Sequence, residues 1–162
     1  MPVAFLGIGS NLDAEQNMRL AARELRRRFG TIAFSPVYRS KALGFDGADF
    51  LNAVARIETE RTPRALATEV EHIHGLAGRR RRSGKFVSRT IDIDVLLYDE
   101  LVVNEPHLAL PRSDVLEFSF VLKPLADIAP DLRHPVTGRT IGEHWREFDA
   151  DSHPLTRVDL LL

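Results

Sequence analysis

The stretch Thr90-Ile91-Asp92-Ile93-Asp94-Val95-Leu96-Leu97-Tyr98 opens by alternating apolar and acidic residues with a period of two. That period belongs to a β-strand, in which successive side chains leave opposite faces of the sheet. Ile91, Ile93 and Val95 therefore enter a core, and Asp92 and Asp94 project together on the other face. Upstream lies a basic loop, Arg79 to Arg89, preceded by a helical pattern. Thr62 is its N-cap, Pro63 takes the first helical position, and Leu66, Val70, Ile73 and Ala77 recur at helical spacing to about Gly78. Further back, Phe50 to Glu58 alternates as a long strand, with Leu51, Ala53, Ala55 and Ile57 on one side. Leu43 to Asp49 is a loop, and Thr31 to Ser40 a strand whose Pro36 predicts an edge or a bulge. Asp13 to Phe29 is an amphipathic helix with Met18, Ala21, Ala22, Leu25 and Phe29 on its buried face and Gly30 as its stop. Val3 to Ile8 is a buried strand running into the turn Gly9-Ser10-Asn11.

Downstream of Tyr98, Leu101 to Asn104 is predicted to return beside the aspartate strand. Ser113 to Ile128 reads as partly helical, with Pro124 near a helix start or at a kink. Thr140 and Glu143 form a capping box for a last helix through Phe148. The order strand–helix–strand–strand–helix–strand is that of a split βαβ, ferredoxin-like α+β fold. One domain over residues 1–162 is expected, with 157–162 an extra C-terminal segment that is either an added edge strand or a dimer contact.

The chain has 162 residues, 44% of them hydrophobic, and a net charge of -1 from 22 basic and 23 acidic side chains, so it can bury a core and lacks the basic excess of a general nucleic-acid binder. It has no cysteine, which excludes disulfides, zinc–thiolate sites and cysteine nucleophiles. No apolar run approaches the roughly 20 residues of a membrane helix, and Met1 to Leu6 has no basic leader, so a cytoplasmic protein is expected.

Two carboxylates side by side need compensating cations, and hard oxygen donors of this kind suit Mg²⁺ held jointly with substrate phosphates. The alternative is a half-exposed strand with polar outer residues. Arg79, Arg80, Arg81, Arg82, Lys85 and Arg89 place six cations within eleven residues just before the pair. Arginine forks bind phosphate oxygens bidentately, so the combination points to a nucleotide triphosphate; an RNA-contacting arm is the alternative for the loop. No P-loop or Rossmann glycine pattern is present, and Gly7-x-Gly9-Ser10-Asn11 is too short to count as either. The six histidines form no metal cluster: His72 and His74 face different ways, and His134, His144 and His153 carry no motif. All are read as surface or satisfied residues.

Several motifs occur in an order that resembles the 6-hydroxymethyl-7,8-dihydropterin pyrophosphokinases of folate biosynthesis. They are Gly9-Ser10-Asn11, Tyr38-Arg39-Ser40 with Leu43-Gly44, Phe50-Leu51-Asn52-Ala53, Gly78-Arg79-x-Arg81, Arg89-x-x-Asp92-x-Asp94 and Phe120-Val121-Leu122-x-Pro124. The resemblance covers about residues 3–145 and implies the same ferredoxin-like fold. It implies Mg²⁺-dependent transfer of pyrophosphate from ATP to the pterin alcohol, with AMP leaving. Asp92 and Asp94 would hold two Mg²⁺ ions. Arg79 and Arg89 would act from a catalytic loop, and Glu71, Arg81, Val95 and Arg112 would join them around ATP. Phe50 and Phe120 would sandwich the pterin, with Ser40, Asn52 and Leu43 at its edge and Phe86 over the ring.

The chain also departs from that family's pattern. Arg112 replaces a His and Phe118 an Arg, both contacts to the triphosphate; Lys41-Ala42 replaces two prolines, Val87-Ser88 a Gly-Pro, and His74 a common glutamate. A paralogue acting on a related pterin or donor, or a binding protein without catalysis, are the alternatives. The partners expected are pterin and ATP, with no nucleic acid and no membrane, in a monomer or weak homodimer.

Overall fold

Alternating strand patterns, side-chain caps and a glycine stop set the elements of the chain. A computed structural model describes residues 1–42, 46–77 and 91–162. Strand β1 (Val3–Ser10) leads to helix α1 (Ala14–Phe29), which stops at Gly30 with φ 77°, a left-handed conformation that glycine adopts without penalty. The next strand is interrupted at Ser35-Pro36 into β2 (Ala33–Phe34) and β3 (Val37–Ser40), as the proline requires. At the break, Ser35 N–H donates to the Val54 carbonyl and Ser35 Oγ accepts from Val54 N, both at 2.8 Å. Strand β4 (Phe50–Glu58) follows, then α2 (Pro63–Leu76), whose Thr62 hydroxyl accepts from Ala65 N at 3.2 Å as an N-cap.

Strand β5 (Asp92–Tyr98) carries the aspartates. The segment after it corrects one expectation. Leu101 to Asn104 does not return beside β5; Val103–Glu105 (β6) instead pairs with Leu108–Leu110 (β7) in a separate hairpin. Its turn is Pro106-His107, with His107 at φ 65°, so the chain closes on itself before it could pair with β5. Helices α3 (Asp114–Glu117) and α4 (Ser119–Ile128) divide at Phe118, whose backbone is extended. Pro124 lies inside α4, not at its start, and has no N–H to offer the Phe120 carbonyl one turn back. Helix α5 (Ile141–Glu147) begins at Thr140, which accepts from Glu143 N at 3.1 Å, and a short 3₁₀ turn at Ala150–Ser152 precedes β8 (Thr156–Val158).

The sheet runs β5-β1-β4-β3-β8 with β2 also on β4, and every pairing is antiparallel. The first four strands in that order give the ferredoxin-like arrangement, and β8 extends the β3 edge. One core lies between the sheet and α1 and α2, and includes Leu6, Ile8, Leu25, Ile57, Leu66 and Ile73. The other lies under α3 to α5 and includes Phe5, Val54, Leu96, Leu122 and Leu125. Each buried leucine or isoleucine contributes roughly 1.5–3 kcal/mol. A register shift in the β1–β5 pair sets Leu97 against Phe5 and Val95 against Leu6, which sends both Leu96 and Leu97 into the second core.

Candidate active site

Register across three strands builds the floor of a cleft. Gly9 is paired with Asn52 of β4 on one side and Asp92 of β5 on the other; two residues earlier, Gly7 is paired with Val54 and Asp94. The strand between the asparagine and the aspartates thus bears no side chains where they face one another. Adjacent strands lie about 4.8 Å apart, so the missing side chains leave a trough about 10 Å across. A Cβ on Gly9 would come within 2.7 Å of Asn52 Oδ1, and one on Gly7 within 3.3 Å of a Leu96 methyl. Any larger residue at the first position would force Asn52 to move.

The trough opens into a cleft of about 280 Å³ lined by Ser40, Phe50, Asn52, Asp92, Asp94, Arg112 and Phe120, with Gly7, Gly9, Lys41, Asp114 and Phe118. Asn52 Nδ2 donates to Ser40 Oγ at 3.3 Å, which fixes the polar end. The apolar wall is aromatic: Phe118 and Phe120 stack with centroids 5.0 Å apart and planes 11° from parallel. A second, more open cavity of about 720 Å³ wraps around the β5 edge between α2 and the β6–β7 hairpin, and Glu71, His74, Val95, His107 and Ala109 line it. Asp92, Asp94 and Arg112 belong to both cavities and form their shared wall.

Arg112 is held at that junction by its backbone, which donates to the Leu96 carbonyl at 2.9 Å. Its guanidinium lies 3.8 Å from Asp94 and 3.4 Å from Asp114. Among the described residues no hydrogen-bond partner reaches its buried Nε. The side chain as a whole is part-exposed, so its terminal N–H groups can donate to a phosphate oxygen in either cavity. Asp92 and Asp94 supply oxygen donors alone, and among the described residues no group of three or more His, Asp or Glu could hold a metal by itself. Two carboxylates completed by substrate phosphates are the donor set that Mg²⁺ commonly takes, so these residues fit it.

Ser40, Phe50, Asn52, Asp92, Asp94, Arg112 and Phe120 thus meet in one cleft, and Glu71 and Val95 line the adjoining one. Leu43, Arg79, Arg81, Phe86 and Arg89 lie outside the described residues, as does the rest of the basic loop. Sequence reasoning weighed Gly7 and Gly9 only as a phosphate-loop pattern and, with Ser10-Asn11, as a turn motif, although Gly-x-Gly repeats the period of Asp-x-Asp and signals one bare strand face. It also read Phe118 only as a lost cation, whereas its ring extends the aromatic wall. As the helical spacing implied, His72 is exposed and His74 buried. No described helix is long and apolar enough to cross a membrane.

A family model described as 7,8-dihydro-6-hydroxymethylpterin-pyrophosphokinase (HPPK) matches residues 5–130. The 2-amino-4-hydroxy-6-hydroxymethyldihydropteridine pyrophosphokinase of Methylorubrum extorquens is 40% identical over 153 residues, which are 92% of this chain and 95% of that protein. The folic acid synthesis protein fol1 of Pneumocystis carinii is 37% identical over 155 residues, 93% of this chain; the chain spans only 21% of that longer protein. The crystal structure of wild-type Plasmodium falciparum HPPK-DHPS superposes with a TM-score of 0.71 at 12% identity, over 90% of this chain and 44% of that one, a likeness of fold alone. A match of this extent, together with a relative of nearly the same length, means that the chain belongs to the 7,8-dihydro-6-hydroxymethylpterin-pyrophosphokinase family.

Proposed function

We propose that the two cavities bind the two substrates of the family's reaction and that their shared wall is where pyrophosphate crosses. The chain transfers pyrophosphate from ATP to 6-hydroxymethyl-7,8-dihydropterin, a step of folate biosynthesis. In our reading the pterin lies in the glycine-floored cleft, between Phe50 and Phe120, with its polar edge toward Asn52 and Ser40. ATP lies in the cavity beyond β5, beside Glu71 and Val95, with its phosphates toward Asp92, Asp94 and Arg112. The observation that carries this is the position of those three charged residues, common to both cavities.

The pterin hydroxyl oxygen forms a bond to the β-phosphorus and gives up its proton to solvent, and the bond from that phosphorus to the α–β bridging oxygen breaks, releasing AMP. Asp92 and Asp94 would hold Mg²⁺, two ions in all, which when bound neutralises phosphate charge. The remaining work is positioning: Asn52 and Ser40 orient the pterin, the aromatic wall excludes water, and the terminal N–H groups of the part-exposed Arg112 donate to a phosphate oxygen. Arg79, Arg81 and Arg89 would add cations from the basic loop, Phe86 would cover the pterin, and a Leu43 backbone group would contact its edge.

Product analysis tests the assignment. Purified protein with Mg²⁺, ATP and the pterin alcohol is expected to yield AMP and pterin pyrophosphate in equal amounts. ADP as the nucleotide product, or no turnover by folded protein, would refute it. A second reading, altered preference for donor or pterin, is favoured by the Phe118–Phe120 stack where the family pattern has a cation. A panel of nucleoside triphosphates and pterins in which the standard pair has the highest kcat/KM would reject that reading. We further infer a cytoplasmic monomer or weak homodimer; sedimentation at micromolar concentration tests the latter.

A further inference from the structure

We propose that His74 is a positioning residue for the carboxylate pair: it clamps the outer edge of β5 at Ile93, the residue between Asp92 and Asp94. The proposal rests on the reading of those aspartates as the Mg²⁺ ligands.

Among the described residues, strand β5 ends the sheet order, with β1 on one side only. In an antiparallel pair the N–H groups of a strand alternate inward and outward, so an edge strand presents unpaired donors to its surroundings. The Ile93 N–H, aimed away from β1, donates to His74 Nε2 at 2.8 Å. An Nε2 that accepts is unprotonated, so Nδ1 of the neutral ring carries the hydrogen, and Nδ1 lies 2.9 Å from Glu71 Oε1. Glu71 and His74 are three apart on α2 and therefore neighbours on its surface. The result is a chain of contacts, Glu71 carboxylate to imidazole to Ile93 backbone, with His74 only 4% exposed.

The need for such a clamp follows from what β5 carries. Two like charges sit on alternate residues of a strand that has one paired neighbour among the described residues, and Arg112 reaches only the Asp94 side of the pair, at 3.8 Å. Glycine at the facing β1 positions removes side-chain support as well. Fixing the backbone between the aspartates from outside holds their separation before a cation arrives. An imidazole does this with few rotatable bonds and a tautomer set by Glu71, much as an outer carboxylate fixes a ligating histidine in metal sites. The satisfied histidine expected from sequence is therefore satisfied by the strand that carries the chemistry.

The test compares wild type, His74→Leu and His74→Gln. Binding of α,β-methylene-ATP is measured by calorimetry across a Mg²⁺ titration, beside steady-state kinetics. His74→Leu is expected to raise the half-saturating Mg²⁺ about tenfold and lower kcat, while His74→Gln, which can both accept and donate, recovers to within about threefold of wild type. A lower Tm with wild-type Mg²⁺ half-saturation would mean a merely structural role and overturn the proposal. If His74→Leu does not fold, hydrogen exchange in wild type decides: an Ile93 amide as protected as those of β1 supports the clamp, and one exchanging like a loop amide overturns it. Should wild type bind the analogue with no Mg²⁺ dependence, the metal reading and this proposal fail together. Should wild type show it and a folded His74→Leu match it, only the clamp fails.

Discussion

The two faces of the central sheet are written by the same strands in opposite ways. Toward α1 and α2, alternate residues of β1 are Ala4, Leu6 and Ile8, each buried and packed against the helices. Toward α3 to α5, the intervening residues are Phe5, Gly7 and Gly9, which run from a large ring to no side chain at all. Strand β4 repeats the contrast, with Leu51, Ala53, Ala55 and Ile57 on the first face and Asn52 beside Val54 on the second. Strand β5 completes it with Ile93 opposed to Asp92 and Asp94. One face is covered along its length. The other is covered under Leu96, Val121 and Leu122 and then opens where glycine, asparagine and aspartate come together. At that open end, stability and chemistry are assigned to alternate residues of the same strands.

That division can be broken from either side. Leu6→Ala, on the covered face, is expected to cost about 3 kcal/mol of unfolding free energy while the folded fraction keeps its kcat, as urea denaturation beside kinetics at saturating substrates would show. Gly9→Ala acts on the open face. Its Cβ displaces Asn52, so stability falls by roughly 1–3 kcal/mol and the pterin KM rises more than the ATP KM. A pterin KM equal to wild type would remove Asn52 from the substrate site.

Phe118→Arg sharpens the contrast by placing in the first cleft the cation of the family pattern. One charged hydrogen bond to phosphate is worth about 1.5–3 kcal/mol, so the ATP KM should fall by about tenfold or more, and loss of the Phe120 stack should raise the pterin KM. The smallest effect lies far from the cleft. Burial, and then the nearby His144, holds the His134 pKa below its ordinary value near 6.5. Its Nδ1 accepts from the Val136 and Thr137 amides at 3.2 and 3.3 Å, which requires the neutral ring. The unfolded chain therefore binds a proton that the folded chain refuses, and stability declines as pH falls from about 6.5 toward the depressed folded value. His134→Asn, which keeps a side-chain acceptor in the turn, should flatten that slope in denaturation curves at pH 5 to 8 without altering turnover.

Local patterns account for what sequence made legible. The limits of β4, the Thr62 and Thr140 caps, the Gly30 stop and the faces of Asp92 and Asp94 all depend on periods and terminal residues, which neighbours in sequence determine. The β6–β7 hairpin was lost because Leu101 to Asn104 is short and apolar, and periodicity cannot choose its partner. Sequence allowed Pro124 a helix start or a kink; it lies inside α4, buried under the second core, and local rules do not choose between the two. In the site, charged and aromatic residues announced themselves by type. Gly7 and Gly9 matter by what they lack, and only the register with Asn52 and the aspartates reveals it.

The central claim is that the open end of the second face, beyond the core under α3 to α5, carries the chemistry without carrying the fold. Its most direct test is Asp94→Ala, assayed for Mg²⁺-dependent AMP release and, on the same sample, for unfolding free energy. The account predicts a loss of turnover of at least about 100-fold with stability within about 0.5 kcal/mol of wild type. Wild-type AMP release by that variant, or its unfolding with the activity lost, would contradict it.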